Sequence, residues 1–315
     1  MPYPYYIDII NNRAARDPET FAKECEAIFN RKVDETAAAI AEQMEALGSH
    51  VVLLSGPSGS GKTTTAQKIC DALKRIGVHS TTVSLDRYFR TPNPKTSPMT
   101  EDGEYDLESP YCLDLDLLNA HFSALERGEE ILVPQFDFAA QTRIASITTP
   151  LKPGKNELVI FEGIHALNDM LADEHPNAFK LYISARSDVK HYGRLCFKRT
   201  WTRLMRRIVR DELFRGFGAD RTLAMWANVR DGEKKYISPF KYKADILFDS
   251  SMGYEVPVLK QFALKALLAV PDGSERLDEL KAMLPALEEF EEVDHAFVPP
   301  DSILREFIGG GIYEH

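Results

Sequence analysis

Residues 56–63 read GPSGSGKT, the G-x-x-x-x-G-K-[ST] spacing in which a turn of backbone grips phosphate. Gly56, Gly59 and Gly61 let the chain fold tightly around Pro57, Ser58 and Ser60, so that successive N–H groups point inward. Lys62 is placed to reach the β- and γ-phosphates and the Thr63 hydroxyl to ligate Mg²⁺, with Thr64 following. A helix opening near Lys62 would add its positive dipole end. Two carboxylates stand at equivalent places further on: Asp86 directly follows the apolar run TTVSL, and Glu162 directly follows LVIF. In a parallel sheet such strand ends face the bound phosphates. One carboxylate there can hold Mg²⁺ while the other takes a proton from an attacking hydroxyl. Arg203, Arg206, Arg207 and Arg210 recur at i, i+3, i+4 and i+7, one face of a helix, and guanidinium forks match phosphate oxygens.

These groups need a scaffold that brings strand ends together. VVLL (51–54), TTVSL (81–85), LVIF (158–161), KLYIS (180–184) and ADILFD (244–249) read as buried strands, with helical patterns between several of them, notably 62–76 and 189–215. This alternation predicts an α/β fold of the P-loop NTPase type, a parallel sheet flanked by helices. Residues 17–47 predict one or two amphipathic helices, with Asp17-Pro18 as N-cap and first turn. The stretch 91–153 breaks the rhythm: a proline-rich loop, a helical LDLDLLNAHFSALERG and then LVPQFDF read as an insertion that recognises the acceptor. The arginine-rich 189–218 reads as a mobile lid, hinged at Gly216 and Gly218. The expected organisation is a helical extension over 1–48, a core domain over 49–270 and an acidic segment over 271–315.

Composition narrows the class. Of 315 residues, 44% are apolar and 27% charged, as in ordinary globular proteins. No apolar run approaches the ~20 residues of a membrane span, and the opening MPYPYYIDIINNR lacks a secretory pattern. Four widely spaced cysteines (25, 70, 112, 196) suit reduced thiols in a cytoplasmic protein better than disulfides or a zinc site. The net charge of −10 argues against nucleic acid as a partner. Yet 194–215 carries eight Arg or Lys against Asp211 and Glu212, a local +6 that leaves −16 elsewhere. A small-molecule acceptor is the expected partner, and homo-oligomerisation stays open.

GPSGSGKTT, SLDRYF (84–89), EYDL (104–107), VPQFDFAAQTR (133–143), FEGIHALN (161–168) and RLMRRIVRDELFRG (203–216) together resemble the uridine kinase and phosphoribulokinase family of P-loop kinases. EGIHALND, FKLYISA, MWANVRDGEKKYI and the terminal PPDSILREFIGG resemble a bacterial uridine kinase-like branch of it. Longer members of that branch begin with a domain shared with threonyl-tRNA synthetases; residues 1–48 resemble only the helical connector after it.

The resemblance implies ATP as donor, Mg²⁺ as cofactor and a hydroxyl acceptor, with Asp86 as general base and Thr63, Asp86 and Glu162 around the metal. It implies Tyr88, Asp106 and Arg143 in the acceptor pocket, and Arg206, Arg207, Arg210 and Arg215 acting from the lid. Two positions depart from the uridine–cytidine kinase pattern: Phe136 stands where a Tyr is usual and Gln141 where a His is usual. Both would face the base, so another acceptor, a sugar or polyol, remains an alternative, as does a regulatory ATPase. His165, beside Glu162, reads equally as an acceptor contact or as a packed histidine.

Overall fold

The computed structural model describes residues 5–100, 103, 105–274 and 277–313. Glu104, part of the EYDL motif, lies outside the described residues. In chain order the elements are β1 (Tyr5–Tyr6), α1 (Ile7–Arg16), α2 (Pro18–Leu47), β2 (Val51–Ser55), α3 (Lys62–Arg75), β3 (His79–Ser84), α4 (Leu115–Glu126), β4 (Ile131–Asp137) and β5 (Thr142–Leu151). There follow β6 (Glu157–Glu162), α5 (Asp169–Ala172), β7 (Phe179–Ser184), β8 (Val189–His191), β9 (Arg194–Phe197), α6 (Arg199–Arg210), α7 (Ala219–Tyr236), β10 (Ile246–Asp249), α8 (Glu255–Leu268), α9 (Leu277–Glu288) and α10 (Arg305–Ile308).

The five apolar runs pair in parallel as one sheet, in the order β10-β7-β2-β6-β3. The inner strands β7, β2 and β6 are covered on both faces, which is why their runs are apolar without alternation, whereas the edge strands β3 and β10 stay partly exposed. Val52, Leu54, Ile160 and Ile183 face α2, α3 and α8; Val51, Leu53, Val159 and Phe161 face the α4 side. Register matters for the chemistry: Glu162 ends β6 opposite both Leu54 of β2 and Ser84 of β3. The phosphate loop and the segment carrying Asp86 therefore leave the sheet on either side of Glu162.

Residues 17–47 form the single long helix α2. Its start follows local rules: Pro18 occupies the first turn and the Asp17 side chain accepts from Thr20 N at 3.1 Å. Gly48, with φ of 65°, ends it. α1 and α2 do not stand apart from the rest, nor does the acidic C-terminal segment. Phe21, Phe29, Ile40, Leu287, Ile303 and Phe307 belong to the same apolar cluster as the α3 face of the sheet. Among the described residues no helix is long and apolar enough to cross a membrane.

The region expected to be a mobile lid has an interior centre and exposed ends. β8 and β9 form a hairpin that pairs with β1, and in α6 every residue from Trp201 to Val209 is buried. What projects is the β8–β9 turn at 191–195 and, past the buried Asp211, the π-turn residues 212–215, closed by Gly216 at φ of 66°.

Candidate active site

The loop at 56–61 curls onto the N-terminus of α3, as the glycine spacing requires. Gly59 and Gly61 have φ of 72° and 83°, a region that favours glycine. Around it lies a cleft of about 200 Å³ lined by Ser58, Gly59, Gly61, Lys62 and Thr63 on one side and by Asp86 and Glu162 on the other. The sequence-predicted carboxylates and the phosphate cradle thus meet in one place. Arg210 and Arg215 border the same cleft from the π-turn side.

Electrostatics follow from this crowding. Burial pulls the Lys62 ammonium below its ordinary range, and Glu162, Glu306 and Asp86 oppose the fall. Glu162 is only 8% exposed, and burial raises its carboxyl to about 7, with Asp86 adding repulsion and Lys62 attraction. Asp86 reaches solvent at the cleft mouth, yet the surrounding protein still raises its pKa, against the pull of Lys62 and Arg215. A carboxyl raised on folding is most compatible with the native state at low pH, and that contribution is lost as pH climbs through the folded value. Glu162→Gln is therefore expected to stabilise the protein more at pH 8 than at pH 4.5. The rise from 4.5 to about 7 corresponds to roughly 3 kcal/mol, readable from urea midpoints at the two pH values.

Four expected site residues take other roles. Arg206 is fully buried: its guanidinium pairs with Glu255 and donates to the carbonyls of Gly59, Ser60 and Ser250. It buttresses the phosphate loop through backbone carbonyls and does not line the cleft, because protein encloses the arginine stripe at this position and opens only at its end, Arg210. Tyr88 is also fully buried. Its hydroxyl bonds His121 Nδ1 at 2.9 Å and its ring meets Phe161 edge-on, so it is core and not acceptor wall. Arg143 is consumed by Asp114 at 2.6 Å and by the carbonyls of Tyr88 and Phe89, which ties β5 to the turn after Asp86. The Thr64 hydroxyl donates to Glu306 at 2.9 Å.

The remaining arginines stay near phosphate. Arg207 donates to Ser58 Oγ at 3.0 Å, and Asp211 gathers Arg207, Arg210 and Arg215 at 3.3, 3.1 and 3.7 Å. Asp106 accepts from Glu108 N and from the Tyr236 hydroxyl. Phe136 and Gln141 line a separate pocket of about 260 Å³, together with Phe89 and Phe138. Phe89, Phe136 and Phe138 form an aromatic cluster with centroids 5.2–6.4 Å apart. Gln141 holds φ of 49°, a left-handed backbone that costs a non-glycine residue about 1–2 kcal/mol. His165 is buried beside the Tyr236 and Glu108 backbones, with neither ring nitrogen in good hydrogen-bond geometry among the described residues, and burial lowers it to about 3.

Three residues escaped the sequence reading. Glu108, raised to about 7 by burial, lies within the fields of Arg207 and Lys62. Asp211 is the hub of the arginines, visible in the sequence only as an offset to their charge. Glu306 on α10 lines the cleft itself, and Ile303 seals the loop so closely that any side chain at Gly61 would collide with it. The terminal motif PPDSILREFIGG carried no role, and nothing in its spacing places it against residues 61–64.

Sheet order, cradle and strand-end carboxylates define a P-loop kinase. The profile of the Phosphoribulokinase / Uridine kinase family matches residues 51–256, and the chain belongs to that family of phosphotransferases. Relatives include the uridine kinase of Halobacterium salinarum, 28% identical over 63% of this chain and 79% of its own length. That of Staphylococcus aureus is 29% identical over 66% of this chain and 91% of its own. A solved Silicibacter protein assigned as a fructose transport system kinase is 21% identical, with a TM-score of 0.48 over 67% of this chain and 98% of its own; at that level the likeness adds nothing to the assignment.

Proposed function

We propose that the protein transfers the γ-phosphoryl group of ATP to a hydroxyl of a nucleoside, the 5′-OH of uridine or a close relative. The observation that carries this reading is a shared short segment. Asp86 faces the phosphate cleft, and Phe89, three residues later, walls the aromatic pocket of Phe136 and Phe138. A flat base stacked in that pocket would send its sugar hydroxyl toward Asp86. An aromatic wall of this kind favours a nucleoside over a bare sugar or polyol. Gln141, at its rim, can both donate to and accept from a base edge.

In this reading the loop amides and Lys62 fix the β- and γ-phosphates, and Arg210 and Arg215 neutralise charge on the transferring group. Asp86 takes the proton of the acceptor hydroxyl. The donor set fits Mg²⁺: Thr63, Asp86 and Glu162 offer hard oxygens beside the phosphate site. Among the described residues no cluster of three or more His, Cys, Asp or Glu side chains could cage a metal alone, whereas Mg²⁺ binds through one or two carboxylates plus phosphates and water. Bound there, the ion would draw charge from the phosphate oxygens. Four free thiols suit a cytoplasmic setting.

ATP consumption measured against a panel of nucleosides, pentoses and polyols tests the acceptor. Turnover with uridine or a related nucleoside is expected, and activity confined to sugars or polyols would overturn it. Phe136→Ala is expected to raise KM for the nucleoside by about 5- to 100-fold, the worth of one stacked base, with KM for ATP unchanged.

A further inference from the structure

A second cavity, of about 220 Å³, shares no residue with the cleft. Arg186 after β7, Arg199 and Arg203 on α6, Arg230 on α7 and Lys241 converge on it, against a single carboxylate, Glu233. That carboxylate is already divided: Arg203 Nη1 donates to it at 2.8 Å and Arg230 pairs with it as well. Arg203 is 3% exposed, and its Nη2 has no hydrogen-bond partner among the described residues. Among the described residues Arg186 and Lys241 make no side-chain ion pair.

A solvated basic face does not account for this arrangement. The protein as a whole carries −10, and cations brought together in a concave, partly desolvated space repel one another unless an anion joins them. Ser184, Thr200 and Ser238 line the same space, the Ser238 hydroxyl donating to Glu233 at 3.3 Å, and guanidinium forks beside hydroxyl residues match phosphate oxygens. The volume admits a phosphoryl group with a small body attached and excludes a polymer.

We propose that this cavity is a second anion site, which takes the phosphoryl group of a small phosphorylated metabolite. Arg203 joins it to the catalytic cradle, because its Nε donates to the Ser58 carbonyl at 3.0 Å. An anion engaging Arg203 therefore presses on the same loop that holds the donor.

The test is isothermal titration of the intact protein at low ionic strength with inorganic pyrophosphate. Two sites are expected. The Arg186→Ala/Lys241→Ala double variant should lose one of them, its affinity falling at least about tenfold, and keep the cradle. Lys62→Ala should do the reverse, so a failed cradle and a failed second site are told apart. Both substituted side chains of the double variant are half-buried or exposed and bear no ion pair among the described residues, so the fold should survive. Ribose 5-phosphate and inorganic phosphate, titrated into Lys62→Ala, separate the sources. Tighter binding of the sugar phosphate assigns an organic ligand, and equal binding assigns free phosphate. A single site in the wild type that Lys62→Ala abolishes, or an unaltered isotherm in the double variant, overturns the proposal.

Discussion

Asp86→Asn is expected to lower kcat by about 10²–10⁴-fold while leaving the affinity for ATP within a few-fold of wild type. Asn keeps the size and hydrogen-bonding reach of the carboxylate but cannot accept the proton of an attacking hydroxyl. The loop and Lys62 are untouched, since they lie on the other side of Glu162 from Asp86. The raised pKa of Asp86 helps the proposed role, because a base is most effective when its pKa approaches the working pH. Single-turnover rates with saturating acceptor, beside ATP binding by calorimetry, decide the matter. A variant that turns over at the wild-type rate would remove Asp86 from the chemistry.

Two arginines four residues apart should fail in opposite ways. Arg206→Ala leaves the buried Glu255 carboxylate without its partner and takes a donor from the Gly59 carbonyl, whereas the Ser60 carbonyl keeps the Ser250 hydroxyl. Breaking a buried pair from one side costs about 3–5 kcal/mol, so the urea midpoint should drop sharply. Arg210→Ala removes a partly exposed group whose carboxylate, Asp211, keeps Arg207, Arg215 and the Thr222 hydroxyl. Its stability should move by less than about 1 kcal/mol, whereas kcat should fall by about 10²-fold or more. Equal losses of stability in the two variants would show that the turn at 210–215 is framework too.

What the sequence revealed and what it hid divide along physical lines. Strands and the phosphate loop are local: an apolar run bounded by glycines announces itself, and a carboxylate placed just past such a run must lie at the sheet's edge. Lys62, Thr63, Asp86 and Glu162 are legible in the sequence on that ground, and all four line one cleft. Periodicity gave the arginine face of α6 but not its surroundings. A stripe facing solvent and one facing buried acids look alike until Glu233 and Glu255, far along the chain, are brought against it. Tyr88 and Arg143 sat within motifs of the family and still point away from the pocket. A motif fixes backbone course, and neighbours such as His121 and Asp114 settle each side chain. Glu306 was invisible for the same reason.

The contact between Glu306 and Thr64 spans 242 positions of the chain. The wall at Ile303 and Glu306 can close on the loop only once these two distant segments have met. A triphosphate would then be held fully only by molecules that have finished folding, and its stabilising effect would fall on those alone. Donor affinity thus doubles as a gauge of completeness, with half-built copies drawing little from the cell's nucleotide pool.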